Sequence, residues 1–207
     1  MKLFLFGGAE SGEVATELKM IEKVIKKLKP KQILHIPFAR TSTHEEEWQG
    51  DWFHRNIKLD PQIKYLNAEN SQDINRAKAP LLFISGGSQI TNLARKLKTD
   101  KRLVPLIMAA DCIIGESAGA KILGKYFRPK GSDPKSPMVK GLDVIKDTVI
   151  EPHYTQRKRS RLLSLGVKES GAKYGLGIDS LTAAVIDTES FPKKIKQLGK
   201  GLVDFKK

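Results

Sequence analysis

The sequence predicts an α/β fold, a three-layer sandwich with a mostly parallel central sheet. Short apolar runs alternate with helix-period segments along the chain, which is typical of a parallel sheet covered by helices on both faces. Two of the apolar runs end in glycines that precede a helix, as at the carboxyl edge of such a sheet. With 207 residues, of which 40% are hydrophobic, the chain is long enough for one core. We therefore expect a single domain over residues 1–207.

The expected strands are apolar runs bounded by turn residues. They span residues 2–6, 32–37, 63–67, 80–85, 112–115, 174–178 and 183–187. The clearest helix covers residues 14–28, where Leu18, Ile21, Ile25 and Leu28 form an apolar stripe opposite lysines. Prolines and a glycine predict an exposed loop at 127–137, and residues 198–205 predict a hairpin or an edge strand.

Composition limits the possible partners and compartments. No apolar run is long enough for a membrane span, and the first residues lack a full signal-peptide pattern. The single Cys112 cannot form an internal disulfide, so a reducing, cytoplasmic location is expected. The net charge of +14 favours anionic partners, but the basic residues are dispersed and accompany no nucleic-acid motif. We expect no nucleic-acid partner, no membrane, and a monomer or homodimer.

The stretch CIIGESAGA, residues 112–120, carries the main chemical signal. An apolar strand enters Gly-x-Ser-x-Gly and then a helical segment, which is the pattern of a nucleophile elbow. Small residues at Gly115, Ala118 and Gly119 permit a tight turn that exposes Ser117, and the Ala118 amide then points toward a developing oxyanion. A purely structural turn, or one that binds phosphate, is the alternative.

Another apolar strand, at 80–85, ends in Gly86-Gly87-Ser88. In a parallel sheet this end opens on the same edge as the elbow, so the Gly87 amide is the expected second oxyanion donor. A helix-capping turn at Ser88 is the alternative.

A serine nucleophile needs a base, and the chain has four histidines. His35 lies within an apolar run and is expected in the core, whereas His44 and His54 flank an acidic segment with Trp48 and Trp52. His153 follows Val149-Ile150-Glu151-Pro152 and precedes a basic helical stretch, which places it at a strand end beside a helix start. It is the expected base, with a surface loop histidine as the alternative.

Four motifs in order resemble the family of serine peptidases that contains dipeptidase E (aspartyl dipeptidase) and cyanophycinase. The motifs are Gly86-Gly87-Ser88, the elbow at 115–120, Pro152-His153-Tyr154 with Gln156, Arg157 and Arg159, and Gly175 to Asp179 with Thr182-Ala183. The resemblance implies a fold similar to class I glutamine amidotransferases, and amide hydrolysis through an acyl-enzyme without metal or cofactor. It matches Ser117 to the nucleophile, His153 to the base, and the amides of Gly87 and Ala118 to the oxyanion donors.

Two aspartates are candidates for the acid that orients His153. Asp179 matches the position where the family places a carboxylate beside the histidine, and a rigid strand end favours it. Asp133, in the proline-rich loop, resembles a loop aspartate associated with activity in dipeptidase E. We favour Asp179 and expect Asp133 to shape the substrate site.

Substrate recognition is predicted only in outline. Arg157 and Arg159 are candidates for binding an aspartyl side chain or a terminal carboxylate, with a solvated basic helix face as the alternative. Glu116 departs from dipeptidase E, which has an aromatic residue there. The hypothesis is a serine-type hydrolase of short peptides, aspartyl peptides among them. The alternative is a non-catalytic module that binds a small anion on the same fold.

Overall fold

The computed structural model describes residues 1–40, 51–131 and 133–207. Its strands are β1 (Lys2–Phe6), β2 (Gln32–Ile36), β3 (Lys64–Asn67), β4 (Leu81–Ile84), β5 (Cys112–Glu116), β6 (Tyr126–Phe127), β7 (Val139–Lys140), β8 (Thr148–Pro152), β9 (Tyr174–Ile178), β10 (Thr182–Asp187), β11 (Ile195–Gly199) and β12 (Val203–Lys206). Its helices are α1 (Val14–Leu28), α2 (Asp51–Asn56), α3 (Ser71–Arg76), α4 (Ile90–Thr99), α5 (Leu103–Met108), α6 (Ala118–Lys121) and α7 (Ser160–Ser170).

The larger sheet that the described residues form has seven strands, in the order β11-β10-β1-β5-β4-β2-β3. The five strands from β1 to β3 in that order are parallel. Strand β10 runs antiparallel to both β1 and β11. The expectation of a mostly parallel central sheet is therefore confirmed, and α1 has the predicted bounds.

A second sheet, of five strands among the described residues, was not expected from the sequence. Its order is β12-β9-β8-β6-β7, with β8 parallel to both β9 and β6. The carboxyl-terminal segment does not fold as a hairpin, because β11 lies at the edge of the larger sheet and β12 at the edge of the smaller one. The expectation of an edge strand at 198–205 is met in this divided form.

Both faces of the larger sheet are buried, as strand β1 illustrates. Leu3 and Leu5 point into one apolar cluster, which includes residues of α4, α5 and the smaller sheet. Phe4 and Phe6 point to the opposite side, where α1 packs through Leu18, Ile21, Val24 and Ile25. Because successive side chains of a strand face opposite sides, a strand covered on both sides is apolar throughout.

The segment 127–137 is only in part the exposed loop that its prolines predict. Its exposed residues, among those described, are Lys130, Pro134, Lys135 and Pro137. Phe127 and Arg128 are buried, and the Arg128 guanidinium bonds to the Ser136 carbonyl and to Glu169. Proline content marks irregular backbone, but it does not reveal that Arg128 is buried and held by partners within and outside the segment.

None of the helices in the part of the chain that the structure describes has the length and apolar character needed to cross a membrane.

Candidate active site

The elbow at Ser117 has the strained geometry that its sequence predicts. Ser117 has φ +49° and lies between β5 and α6. A Cβ atom at Gly119 would lie 1.9 Å from the Ile84 carbonyl oxygen, and one at Gly115 would lie 2.9 Å from Ala120 Cα. Only glycine allows strand and helix to approach so closely, so these positions are required by the turn itself.

Ser117 and His153 meet at the ends of strands from the two sheets. The Ser117 Oγ lies 3.0 Å from His153 Nε2, within hydrogen-bond distance. The backbone amide of Ser117 donates to the Phe6 carbonyl at 2.9 Å, and that of His153 donates to the next carbonyl, of Gly7, also at 2.9 Å. Two consecutive carbonyls at the end of β1 thus hold both residues.

The other nitrogen of the His153 ring contacts Glu10, in the loop that follows β1. His153 Nδ1 lies 2.7 Å from Glu10 Oε1. Because a carboxylate only accepts hydrogen bonds, Nδ1 carries the proton, and Nε2 is left to accept from the Ser117 hydroxyl. Ser180 Oγ lies 3.1 Å from Nδ1 and donates to the same Glu10 oxygen at 3.3 Å. Ser117, His153 and Glu10 therefore form a hydrogen-bonded chain.

Arg157 fixes the orientation of Glu10. Its Nε and Nη2 donate to the two carboxylate oxygens of Glu10 at 3.1 and 3.2 Å. Because both oxygens are bound by one guanidinium, the carboxylate of Glu10 has a fixed orientation. The residue expected to bind substrate thus has a partner inside the protein already.

The expected contact between Asp179 and His153 is not formed. The carboxylate of Asp179 accepts instead from the backbone amides of Thr155 and Leu202, both at 2.9 Å. Asp179 is 5% exposed, so these bonds satisfy a buried charge. This carboxylate connects the segment after His153 to the segment before β12, and Glu10 occupies the position at the ring that was expected for Asp179.

Asp133 forms a side-chain bond that does not involve the His153 ring either. Its side chain accepts from the Lys135 amide at 2.9 Å, inside its own loop. This is a local turn of the kind that aspartates favour.

Burial sets the protonation of His153, which is 5% exposed. Burial, and then the positive charge of Arg157, lower the pKa of His153 to about 4, while Glu10 acts in the opposite direction. The imidazole is therefore neutral near pH 7, as a general base must be. Burial acts to raise the pKa of Glu10, but the bonds and charges of Arg157 and His153 outweigh it, so the pKa of Glu10 lies below its usual value.

A cavity of about 200 Å³ opens beside Ser117 and His153. Gly87 and Ala118 are among the residues that line it. Basic side chains line it too, namely Lys121, Arg128, Arg157 and Arg159.

Three of these cations are buried. Lys121 lies 3.0 Å and Arg159 3.4 Å from the carboxylate of Glu151, which is itself buried. The Nε atoms of Arg128 and Arg159 are buried and have no hydrogen-bond partner among the described residues. Because all four basic side chains line the cavity, this wall is suited to an anionic ligand.

The remaining histidines and tryptophans lie away from this cavity or outside the described residues. His35 is fully buried and bonds Tyr65 and Ser85 at 3.0 and 2.9 Å, so the core interpretation is correct. His54 packs edge-on against Tyr65. Trp52 packs at the core beneath the Arg40 guanidinium. His44 and Trp48 lie outside the described residues.

Glu10 is the site residue that the sequence analysis missed, although a signal for it exists. Strand β1 ends in Gly7-Gly8, which is the same feature that drew attention to Gly86-Gly87. A Cβ atom at Gly8 would lie 2.5 Å from His153 Nε2, and one at Gly7 would lie 2.1 Å from the Asp179 carbonyl oxygen. The glycines after β1 therefore mark the close approach of this loop to His153.

Comparisons with known proteins agree with the fold and the motifs. The cyanophycinase of Geminocystis herdmanii is 27% identical over 140 residues, which is 61% of this chain and 48% of that protein. The cyanophycinase of Synechococcus elongatus is 28% identical over 132 residues, 59% of this chain and 40% of that protein. The chain thus spans less than half the length of these curated relatives.

Solved structures extend the likeness of fold to nearly the whole chain. A peptidase E protein from Listeria monocytogenes EGD-e superposes with a TM-score of 0.61 at 18% identity, over 97% of this chain and 98% of that one. A peptidase from an acI-B1 Actinobacterium gives 0.55 at 17% identity, over 98% and 96%. The class I glutamine amidotransferase-like fold expected from the motifs is confirmed.

The model of peptidase family S51 matches residues 3–193, which include the elbow, His153 and both glycine-rich strand ends. The chain belongs to peptidase family S51.

Proposed function

We propose that this protein is a serine-type peptidase in which Ser117 is the nucleophile, His153 the base and Glu10 the residue that orients the base. The observation that carries the proposal is the hydrogen-bonded chain from Ser117 Oγ through the His153 ring to Glu10, with bonds of 3.0 and 2.7 Å. A serine hydroxyl is a weak nucleophile without such a base, and the base needs a partner that fixes its tautomer.

The reaction follows from the proton positions in this chain. Ser117 Oγ attacks the carbonyl carbon of the scissile amide while His153 Nε2 takes the hydroxyl proton. The imidazolium is stabilised by Glu10, and it then gives the proton to the leaving amine as the C–N bond breaks. A water molecule attacks the acyl-enzyme by the same route and releases the acid product.

The amides of Gly87 and Ala118 are the proposed oxyanion donors. Both residues line the cavity beside Ser117. The Ser117 amide does not join them, because it donates to the Phe6 carbonyl. Fixed amides of this kind stabilise negative charge only as it develops on the carbonyl oxygen, which lowers the barrier of the chemical step.

The basic wall of the cavity supports short acidic peptides, aspartyl peptides among them, as substrates. Lys121 and Arg159 share the single carboxylate of Glu151. Both residues line the cavity, so a carboxylate of the substrate would bring a second anion to these two cations. Arg159 is the stronger candidate for this contact, since Arg157 is engaged by Glu10.

The cytoplasm is the proposed location. Burial raises the pKa of the Cys112 thiol to about 11, so this cysteine is suited to remain reduced and unreactive.

A fluorophosphonate probe, which labels activated serines, tests the proposal directly. We expect wild-type protein to be labelled and Ser117→Ala to be unlabelled while it retains its circular dichroism spectrum. Ser88→Ala is the matched control, because Ser88 lines the same cavity but has no role in the mechanism. Absence of labelling on folded wild-type protein would favour the alternative, a non-catalytic module that binds a small anion.

A further inference from the structure

Glu116, the residue immediately before Ser117, links the elbow to two other loops. One of its oxygens, Oε2, accepts from the Gly86 amide at 3.0 Å and from Arg40 Nη2 at 3.1 Å. The side chain of Glu116 is 12% exposed and that of Arg40 is 18% exposed. Both bonds leave strand β5 and the turn at Ser117, so the carboxylate connects these elements to the segment of Gly86 and to Arg40.

The two loops that Glu116 joins are also in contact with each other. Arg40 closes a turn after β2, with its amide 2.8 Å from the Pro37 carbonyl oxygen. The Gln89 amide donates to the carbonyl of Ala39 at 2.8 Å, and a Cβ atom at Gly87 would lie 2.1 Å from that same oxygen. Gly87 is therefore packed directly on the turn that carries Arg40.

Gly86 is packed just as tightly against the elbow. A Cβ atom at Gly86 would lie 2.9 Å from Ser117 Cβ and 3.0 Å from Glu116 Oε1. The Gly86–Gly87 segment thus lies between the elbow and the Arg40 turn, and Glu116 holds both sides of it through one oxygen atom.

Arg40 contacts an aromatic ring as well as the carboxylate of Glu116. The Arg40 guanidinium lies 3.1 Å from the centre of the Trp52 ring, an arrangement that favours a cation. Glu17 is another carboxyl group near Arg40. Burial, and then the negative charge of Glu116, raise the pKa of Glu17 to about 9, so Glu17 is largely protonated near pH 7.

We propose that Glu116, held by Arg40, is a positioning residue that fixes the Gly86–Gly87 segment so that the Gly87 amide faces the oxyanion. This inference rests on the proposed function. A donor stabilises the transition state only if it is already in place when the charge develops. A carboxylate that binds both the Gly86 amide and the Arg40 turn supplies that preorganisation, because charge-assisted hydrogen bonds are stronger than neutral ones.

The test uses the kinetics of fluorophosphonate labelling, which require no knowledge of the substrate. The phosphonyl oxygen of the probe occupies the oxyanion site as the serine attacks, so the maximal labelling rate reports on the donors and the half-saturating concentration reports on initial binding. The variants are Glu116→Gln, Arg40→Gln and the double variant. Glu189→Gln, which changes a carboxylate in a turn distant from Ser117, is the control, and Ser117→Ala is the blank.

For Glu116→Gln we expect the maximal labelling rate to fall about tenfold to a hundredfold, somewhat less than for complete loss of an oxyanion donor. The half-saturating concentration should change by less than about threefold, since initial binding does not use the developing charge. Arg40→Gln should act in the same direction. The double variant should be no slower than the slower single variant, because both substitutions break one linkage.

Several results would overturn the inference while leaving the proposed function intact. One is a wild-type labelling rate in Glu116→Gln, with Ser117→Ala unlabelled. Another is additive losses in the double variant. A third is a rate loss that merely follows a lowered melting temperature, with weaker initial binding, since that indicates general destabilisation. Failure of the wild-type protein to label would instead overturn the proposed function.

Discussion

The two sheets contribute different parts of the candidate site, and the carboxylates show this best. The larger sheet supplies Ser117 after β5, Gly87 after β4 and Glu10 after β1, whereas the smaller sheet supplies His153 after β8. Asp179 follows β9 of the smaller sheet, and its carboxylate accepts from the backbone amides of Thr155 and Leu202. Glu10 comes from the opposite sheet and bonds the ring.

In this structure the carboxylate that bonds the His153 ring does not follow β9, the strand that pairs with β8. Strands β8 and β9 pair in parallel, with Pro152 opposite Ile178, so the residues that follow them are close in backbone. Backbone amides near these strand ends need acceptors, and the Asp179 carboxylate accepts from two of them, those of Thr155 and Leu202. The acid that bonds the ring approaches from across the junction between the sheets.

Replacing Glu10, the acid that follows a strand of the larger sheet, should have the largest effect on catalysis. Glu10→Gln retains the shape but can present its amide nitrogen to Nδ1, which favours the wrong tautomer of His153. We expect kcat to fall by roughly 10²–10⁴, with KM little changed. Steady-state kinetics on aspartyl p-nitroanilide, with fluorophosphonate labelling as a second assay, checks this. A wild-type kcat in Glu10→Gln would contradict the role given to Glu10.

Replacing the buried carboxylate of Glu151 should act on stability. Glu151→Gln removes the anion shared by Lys121, in the helix after the elbow, and Arg159, so both cations lose their buried partner. We expect the free energy of unfolding to fall by about 3–5 kcal/mol, measured in urea. The control is Asp100→Asn, which breaks a more exposed pair with Arg102 and should cost less than about 1 kcal/mol. Equal losses would show that burial of the Glu151 pairs adds nothing to stability.

Replacing Asp179, the acid that follows a strand of the smaller sheet, should lower the free energy of unfolding moderately. Asp179→Asn leaves the Thr155 or the Leu202 amide with a poorer partner, at a cost of about 1–3 kcal/mol. We expect kcat of the folded protein to fall by less than about tenfold, since the ring contact is unaffected. Asp60→Asn, which alters an exposed turn bond to Gln62, is the control. A collapse of kcat in Asp179→Asn with wild-type kinetics in Glu10→Gln would reverse the comparison.

The smallest effect concerns acid pH. His153 must be neutral to act as base, and its pKa is about 4 rather than 6.5, so kcat/KM should persist below pH 6.5 and fall near pH 4. Because the folded pKa lies below the unfolded value, stability should also decline between pH 6.5 and about 4.

Arg157→Gln removes a positive charge that lowers the pKa of His153, so the acid limb of the kcat/KM profile should move to higher pH. Arg157 is half exposed, so the loss in rate at pH 5 should be only about twofold to fivefold. A limb that stays in place or moves to lower pH would contradict the assigned cause.

The sequence was sufficient for the parts of the site whose residues are close along the chain. The elbow, its glycines and the position of His153 at a strand end follow from short patterns, because strand, tight turn and helix are local structures. Helix α1 was predicted for the same reason, from one periodic stripe.

The parts that the sequence did not reveal depend on contacts between distant segments. Glu10 and His153 are 143 positions apart, and a polar residue in a glycine-rich loop has no pattern that names its partner. The second sheet was missed because β6 and β7 have only two residues each, which is too short for a period. Asp179 was assigned to the ring from its place at a strand end, which fixes where the backbone goes but not which donors the side chain meets.

The shared support of Ser117 and His153 has a consequence for thermal motion. Their backbone amides donate to the consecutive carbonyls of Phe6 and Gly7. Both residues are therefore attached to the same short piece of backbone. When the strand end moves, nucleophile and base are carried along together, and their displacements are correlated rather than independent. The separation between them therefore fluctuates less than either position does, although they belong to different sheets.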